Sequence, residues 1–301
     1  MQSVLVTGAT GLVGKHLCSK LQKKGYDVKI LSRQKKARSE YKAFYWNPVE
    51  NAIDKTALEK TDYIIHLAGA NLSSKRWSKK RKKQIVDSRA GTTKLLFESV
   101  SRLDKKPMAF ISSSAVGFYG TETKDKIFVE SDPAADDFLG TVCREWEEAA
   151  GLFSKAGIRT VKLRTSLVLS NEGPLSKILL PIKMGLGSPL GSGLQFMPWI
   201  HIEDLCNIFV MALEDSNLSG AFNAAAPEHV TNEEFTKILA KVLNRPLWLP
   251  KVPSFVLKAV LGQMSMIALQ GSRVSSEKIS KAGYKFKYPT LKSALENICK
   301  V

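Results

Sequence analysis

Thr7 to Gly14 reads TGATGLVG, with Gly8, Gly11 and Gly14 spaced three apart. A β-branched run, Ser3 to Thr7, precedes it, and Leu12 to Leu21 follows with Leu12, Val13, Leu17 and Leu21 at helical spacing. Strand, glycine turn and helix in that order make an anion site. The first glycine permits the tight turn, the second lets the backbone approach a pyrophosphate, and the third lets helix and strand pack closely. The pyrophosphate would rest on unpaired amides at the helix N-terminus. This context points to dinucleotide binding by Gly8, Thr10, Gly11, Leu12, Val13 and Gly14. A glycine triplet alone would be only a structural turn.

The end of the second strand selects the dinucleotide. An Asp or Glu there would accept from the ribose 2′-hydroxyl of NAD. Here the chain reads Leu31-Ser32-Arg33-Gln34-Lys35-Lys36, without an acid. Arg33 can pair with a 2′-phosphate and Ser32 can hydrogen-bond to it, so NADP(H) is favoured. The plain alternative is a solvated basic turn.

Charge is the unusual bulk property. Lys and Arg number 45 against 28 Asp and Glu, a net charge of +17. Seven of the nine residues from Lys75 to Lys83 are basic. Such a run reads as a solvated helix face, as a patch that helps hold an anionic cofactor, or as a nucleic-acid site. No interleaved aromatics or binding motif accompany it, so nucleic acid is not an expected partner.

The elements that must position these residues alternate. Val28 to Leu31, Tyr63 to Leu67, Met108 to Ile111, Thr160 to Leu169 and Ala221 to Ala225 read as strands. Helices are expected around Leu95 to Val100, Thr141 to Phe153, Ile202 to Leu213 and Asn232 to Leu243. Alternating strands and helices predict an α/β fold, a Rossmann-type doubly wound parallel sheet with a small C-terminal substrate lobe. The boundaries read as 1–225 for the nucleotide-binding domain, with 171–200 contributing to the substrate side, and 226–301 for the lobe. Cys18, Cys143, Cys206 and Cys299 lie far apart with no CxxC pair, so neither disulfides nor a metal site is expected. There is no secretory pattern, and no apolar run reaches the roughly 18 to 20 residues of a membrane span. A cytoplasmic protein without a membrane partner is expected; a homodimer is left open.

These residues resemble the extended short-chain dehydrogenase/reductase superfamily, also called the NAD-dependent epimerase/dehydratase family. HLAGA at His66 to Ala70, SSSAVGFYG at Ser112 to Gly120 and WIHIEDL at Trp199 to Leu205 carry the likeness. It sharpens to a sugar-nucleotide-epimerase-like branch through Arg76-Trp77, Ser88-Arg89, GLGSPLGSG at Gly185 to Gly193 and FNAAAP at Phe222 to Pro227. The tail, with RPLWLPKVPSFVLKAVLG from Arg245, LQGSRVSSEKI from Leu269 and GYKFKYPTLKSAL from Gly283, resembles that branch's C-terminal domain of unknown function. The resemblance implies NADP(H) contacts from the glycine turn, Ser32, Arg33, Leu67, Ala68, Gly69, Gln84, Arg89 and Val168.

One part of the pattern is missing. The superfamily places a Tyr and a Lys four apart on one helical face, where the ammonium lowers the phenol pKa for proton transfer. Here Val142 and Trp146 occupy those positions, and neither can transfer a proton. The YxxxK at Tyr288 to Lys292 lies in the C-terminal lobe and reads as chance. Ser114 matches the superfamily serine, with Ser113 as second choice, and Tyr119 is the nearest tyrosine that could substitute as acid. Ser88 stands where the helix asparagine is usual. Cys143 reads as a buried small hydrophobe. Arg164, Gln195, Trp199 and His201 would line the substrate side, His201 with a structural alternative at a helix start. Two functions follow as expectations. One is an NADP(H)-dependent epimerase or oxidoreductase on a small polar, nucleotide-linked or free, substrate. The other is a non-catalytic NADP(H)-binding sensor.

Overall fold

Five buried residues form the first strand, β1 (Ser3–Thr7), and pass directly into the glycine turn. The computed structural model describes residues 1–34, 39–120 and 125–299; Lys35 and Lys36 of the basic turn lie outside the described residues. The remaining strands are β2 (Asp27–Ser32), β3 (Lys42–Asn47), β4 (Ala52–Ile53), β5 (Tyr63–His66), β6 (Ala109–Ala115), β7 (Ile127–Phe128), β8 (Arg159–Thr165), β9 (Leu167–Leu169), β10 (Trp199–His201), β11 (Gly220–Ala224) and β12 (Arg273–Val274). The main sheet runs β11-β8-β6-β5-β1-β2-β3-β4, parallel throughout except for the antiparallel edge pair β3–β4. Strand order reverses between β1 and β5, and the crevice beyond their carboxyl ends is where such sheets bind ligand.

The helices are α1 (Leu12–Lys23), α2 (Lys79–Val86), α3 (Thr92–Ser101), α4 (Phe138–Lys155), α5 (Pro174–Lys183), α6 (Ile202–Glu214), α7 (Asn232–Val242), α8 (Ser254–Leu261), α9 (Met266–Leu269), α10 (Glu277–Lys281) and α11 (Leu291–Cys299). Leu17 and Leu21 of α1 and Leu205 and Phe209 of α6 bury one face of the sheet. Leu95, Leu96 and Val100 of α3 with Ala150 and Phe153 of α4 bury the other. Strands covered on both faces carry apolar runs, as Tyr63 to Ile65 of β5 and Ala109 to Ile111 of β6 show.

Three expected elements differ. Thr160 to Leu169 is not one strand: Ser166 separates β8 from β9, and β9 leaves the main sheet to pair with β10. Strand β3 was missed; of KAFYWN only Phe44 and Trp46 are buried, beside the short edge strand β4. The basic run is only partly a solvated face. Trp77 and Arg81 are buried, and Arg81 donates to Gln84 Oε1 at 2.6 Å and to the Asn71 carbonyl. Arg76 reaches α8, donating to the carbonyls of Ala259 at 3.1 Å and Val260 at 2.6 Å.

The C-terminal lobe has its own core, where Leu175 and Leu179 of α5 meet Phe235 and Leu239 of α7 and Leu291 and Leu295 of α11. Helix α7 begins with a capping box, Thr231 and Glu234 each bonding the other's backbone amide. Asp204, fully buried on α6, ties the lobe to the main domain. It accepts from Tyr284 Oη at 2.7 Å, the Lys287 amide at 2.8 Å and the Tyr288 amide at 3.0 Å.

Candidate cofactor and active site

The glycine turn is built for close approach. Gly8 adopts φ +70, and a Cβ there would lie 2.9 Å from the Leu67 carbonyl carbon. A Cβ on Gly14 would lie 2.3 Å from the Gly8 oxygen, so only glycine lets α1 start this near the turn. Gly11 caps α1 without a side-chain bond, and no acid stands in the first turn. The helix therefore presents amides to an anion without competition.

A buried imidazole holds this turn to its neighbours. The Leu67 and Ala68 amides both donate to Thr7 Oγ1 at 3.1 Å. Thr7 Oγ1 lies 2.7 Å from His66 Nδ1, and His66 Nε2 lies 3.1 Å from Thr92 Oγ1. Thr7 already accepts twice, so its own proton goes to Nδ1. That fixes the Nε2–H tautomer, with Nε2 donating to Thr92. Thr92 in turn donates to the carbonyls of Ser88 and Arg89, both at 2.9 Å. Complete burial pushes the His66 pKa down to about 3, so the ring stays neutral. Neither His66 nor Thr92 was assigned a role from the sequence. A histidine ending an apolar strand, with threonines in range, was the available signal.

Ser88 and Arg89 belong to a π-turn, Asp87–Gly91, between α2 and α3. The extra residue turns both side chains toward the loop after β5. Ser88 Oγ accepts the Ala70 amide at 2.9 Å, and Arg89 donates to the Ala70 carbonyl at 3.1 Å. A Cβ on Gly69 would lie 3.2 Å from the Arg89 guanidinium carbon. Burial lowers the Arg89 pKa. The guanidinium also sits 5.3 Å from the Trp146 ring. Gln84 lies one turn upstream and holds Arg81. Ser32 and Arg33 close β2, with Arg33 exposed. Val168, half-buried on β9, packs against the main core.

The positions expected to carry proton transfer hold something else. Val142 is buried with Trp77, Leu139 and Met264, the last from the C-terminal lobe. Trp146 is buried, and its Nε1 has no hydrogen-bond partner among the described residues. Ser114 Oγ donates to Glu147 Oε1 at 2.7 Å. Arg164 clamps the same carboxylate, with Nε at 2.8 Å from Oε1 and Nη2 at 3.0 Å from Oε2. Arg164 Nη1 donates to Tyr119 Oη at 2.8 Å, and Tyr119 Oη donates to Asn223 Oδ1 at 2.7 Å. Burial pushes the Tyr119 pKa up to about 12 despite the adjacent guanidinium. Burial works against the Arg164 charge, but the Glu147 contacts outweigh it and raise its pKa. Ser113 points to the opposite face of β6. The Cys143 thiol is buried, and burial raises its pKa to about 12.

The substrate-side candidates are also internal. Arg164, Gln195, Trp199 and His201 are all at most 3% exposed. Gln195 Nε2 donates to the carbonyls of Leu190 at 2.9 Å and Ala268 at 2.8 Å, tying a loop to the lobe. His201 caps α6, its Nδ1 accepting the Glu203 amide at 3.1 Å. The structural alternative for His201 thus describes its contacts. Tyr288 precedes α11 and packs on His201 at 3.8 Å between ring centroids, so Tyr288 and Lys292 share no helix face. Glu147, Asp204 and Asn223, on which these networks converge, were missed. For Glu147 the available signal was helical phase, since it shares the buried face of α4 with Cys143 and Ala150.

Comparison with known proteins agrees with this geometry. A model of the NAD dependent epimerase/dehydratase family matches residues 4–225, and a domain of unknown function matches 252–298. The epimerase family protein YfhF of Bacillus subtilis is 36% identical over 299 residues, covering 98% of this chain and 97% of its own length. The crystal structure of the human epimerase family protein SDR39U1 with NADPH is 32% identical, with a TM-score of 0.89 and 99% of each chain covered. A nucleoside-diphosphate sugar epimerase structure from Corynebacterium glutamicum, also 32% identical, has a TM-score of 0.79 and covers 99% of this chain and 58% of that one. With the glycine turn at the β1–β5 switch point and the match spanning the whole main domain, the chain belongs to the NAD-dependent epimerase/dehydratase family.

Proposed function

We propose that this protein binds NADP(H) and does not run the Tyr–Lys chemistry of its superfamily. The close-approach glycines, the Arg89–Gly69 contact and the unpartnered Trp146 Nε1 fit a dinucleotide laid across the β1–β5 crevice. Arg33 with Ser32 at the end of β2 favours a 2′-phosphate. The human relative crystallised with NADPH supports the same choice. Bound NADPH would supply hydride at its nicotinamide. The carrying observation is the packing of Val142 against Trp77, Leu139 and Met264. Proton transfer needs a group in reach with a pKa near the working pH. Tyr119 is held near 12 and Ser114 is bound to Glu147. The chain then acts as an NADP(H)-state reader.

One observation favours the enzyme reading. Tyr119 Oη accepts from the Arg164 guanidinium at 2.8 Å, a cation that would stabilise the phenolate if the phenol gave its proton to a small polar substrate. The two readings separate in one experiment. Calorimetry should show NADPH binding more tightly than NADH, NADPH absorbance should stay constant during incubation with simple aldehydes and ketones, and NMR should show UDP-glucose and UDP-glucuronate unepimerised after incubation with the protein and cofactor. Turnover that disappears in Tyr119→Phe would overturn the reader and establish the enzyme.

A further inference from the structure

Residues 173–202 and 235–276 carry no acidic residue. They contain two and six Lys or Arg residues respectively. The fold sets them side by side. Trp248 Nε1 donates to the Gly185 carbonyl at 3.0 Å, and Leu190 pairs with Val252. Along this seam Leu180, Met184, Leu186, Trp248, Phe255 and Val260 are between 49% and 71% exposed. Helix α8 has no buried residue, although seven of its eight positions are not charged and most are apolar. Lys177, Lys183 and Lys258 are exposed among them.

Side chains lining a cleft for a small molecule would be sheltered, whereas these protrude. A protein partner usually takes one apolar stripe of a helix, whereas α8 is apolar around most of its circumference. A second copy docked about a two-fold axis would set the same lysines against each other, with no acid in either stretch to offset them. Protruding apolar side chains with interspersed lysines match an anionic lipid surface in both polarity and charge. We propose that the face formed by α5, Leu186, Trp248 and α8 docks on an anionic bilayer. The apolar side chains enter the headgroup boundary, and Lys177, Lys183 and Lys258 meet lipid phosphates. Among the described residues no helix is long and apolar enough to cross a membrane, so the contact is interfacial. It replaces the expectation that no membrane is a partner, and it is independent of the cofactor reading.

The test is co-sedimentation of the full chain with vesicles of phosphatidylcholine, alone or with about 30% phosphatidylglycerol. Binding is expected to the mixed vesicles only, and to be lost near 0.5 M salt, where the Debye length is roughly 4 Å. Lys183→Gln with Lys258→Gln should weaken it about twenty-fivefold, at roughly fivefold per lysine. Trp248→Ser with Phe255→Ser should abolish it. NADPH affinity and thermal melting of each variant serve as folding controls. Absence of binding to mixed vesicles overturns the proposal. So does equal, salt-insensitive binding to both vesicle types. Retention on polyglutamate beads without vesicle binding would assign the face to an acidic protein. A dimer in sedimentation velocity that the Trp248/Phe255 variant dissolves would assign it to a second copy.

Discussion

Replacing Glu147 with leucine should destabilise the fold by about 3 to 5 kcal/mol, because it leaves a buried guanidinium without its anion. Arg164 is 3% exposed and gives Glu147 two hydrogen bonds, at 2.8 and 3.0 Å. Ser114 loses its acceptor as well, about 1 kcal/mol within that range. Adding Arg164→Met removes the stranded charge. The double variant then lacks only neutral partners for Ser114, Tyr119 and the Glu130 carbonyl, and should lie within about 2 kcal/mol of the parent. Those two figures differ by at least about 1 kcal/mol, and the loss in the Arg164→Met single, which strands the buried carboxylate, adds to the coupling. Urea unfolding followed by tryptophan fluorescence measures all four corners of the cycle. A Glu147→Leu loss below about 1 kcal/mol would refute the reasoning, as would a double variant no more stable than the single.

Arg33→Asp should reverse the preference for NADPH over NADH, and equal calorimetric affinities of the parent for both would contradict the 2′-phosphate assignment. Trp146→Phe, which removes one donor, should weaken NADPH about fivefold in calorimetry, the size of one ordinary hydrogen bond, and cost about 1 kcal/mol of stability for the smaller buried ring. His66 is held neutral with a pKa of about 3 against an ordinary 6.5, so its contribution is complete above about pH 6.5 and falls as pH drops toward 3, by up to about 1.4 kcal/mol per unit. Urea midpoints across that window should slope in the parent and flatten in His66→Gln. Neutralising Lys79, Lys80 and Lys82 together should slow NADPH association modestly in stopped flow and leave a mixed-sequence duplex unbound in filter assays.

The glycine turn and the parallel sheet were legible because local chemistry alone demands them. Gly14 is required by contacts with Gly8 and Ala9 a few residues away, Gly8 by its positive φ, and Tyr63 to Ile65 of β5 are apolar because both faces of the strand are covered. The sequence did not show where buried polar groups would find partners. Glu147 and Arg164 are 17 residues apart, and Tyr119 and Asn223 are 104 apart. Those pairings exist only once β6, β8 and β11 lie in register. For the same reason Arg164 and Gln195 read as residues facing a ligand, when their partners are inside the fold. The basic run misled differently. Charge density marked it as surface, yet Arg76 and Arg81 end on backbone carbonyls, which no count of lysines predicts.

The π-turn at Asp87–Gly91 places a length constraint on the chain. A turn of this kind holds one residue more than an α-helical turn, and each residue of an α-helix rotates its neighbours by about 100°. Deleting Ala90 would let α2 and α3 merge into one regular helix at little local cost. It would also rotate everything upstream against everything downstream. Ser88 and Arg89 would swing off Ala70, and Arg76 would leave the end of α8 in the same movement. A single codon therefore sets the phase between the crevice and the C-terminal lobe, and its loss should separate the two without altering a single contact residue.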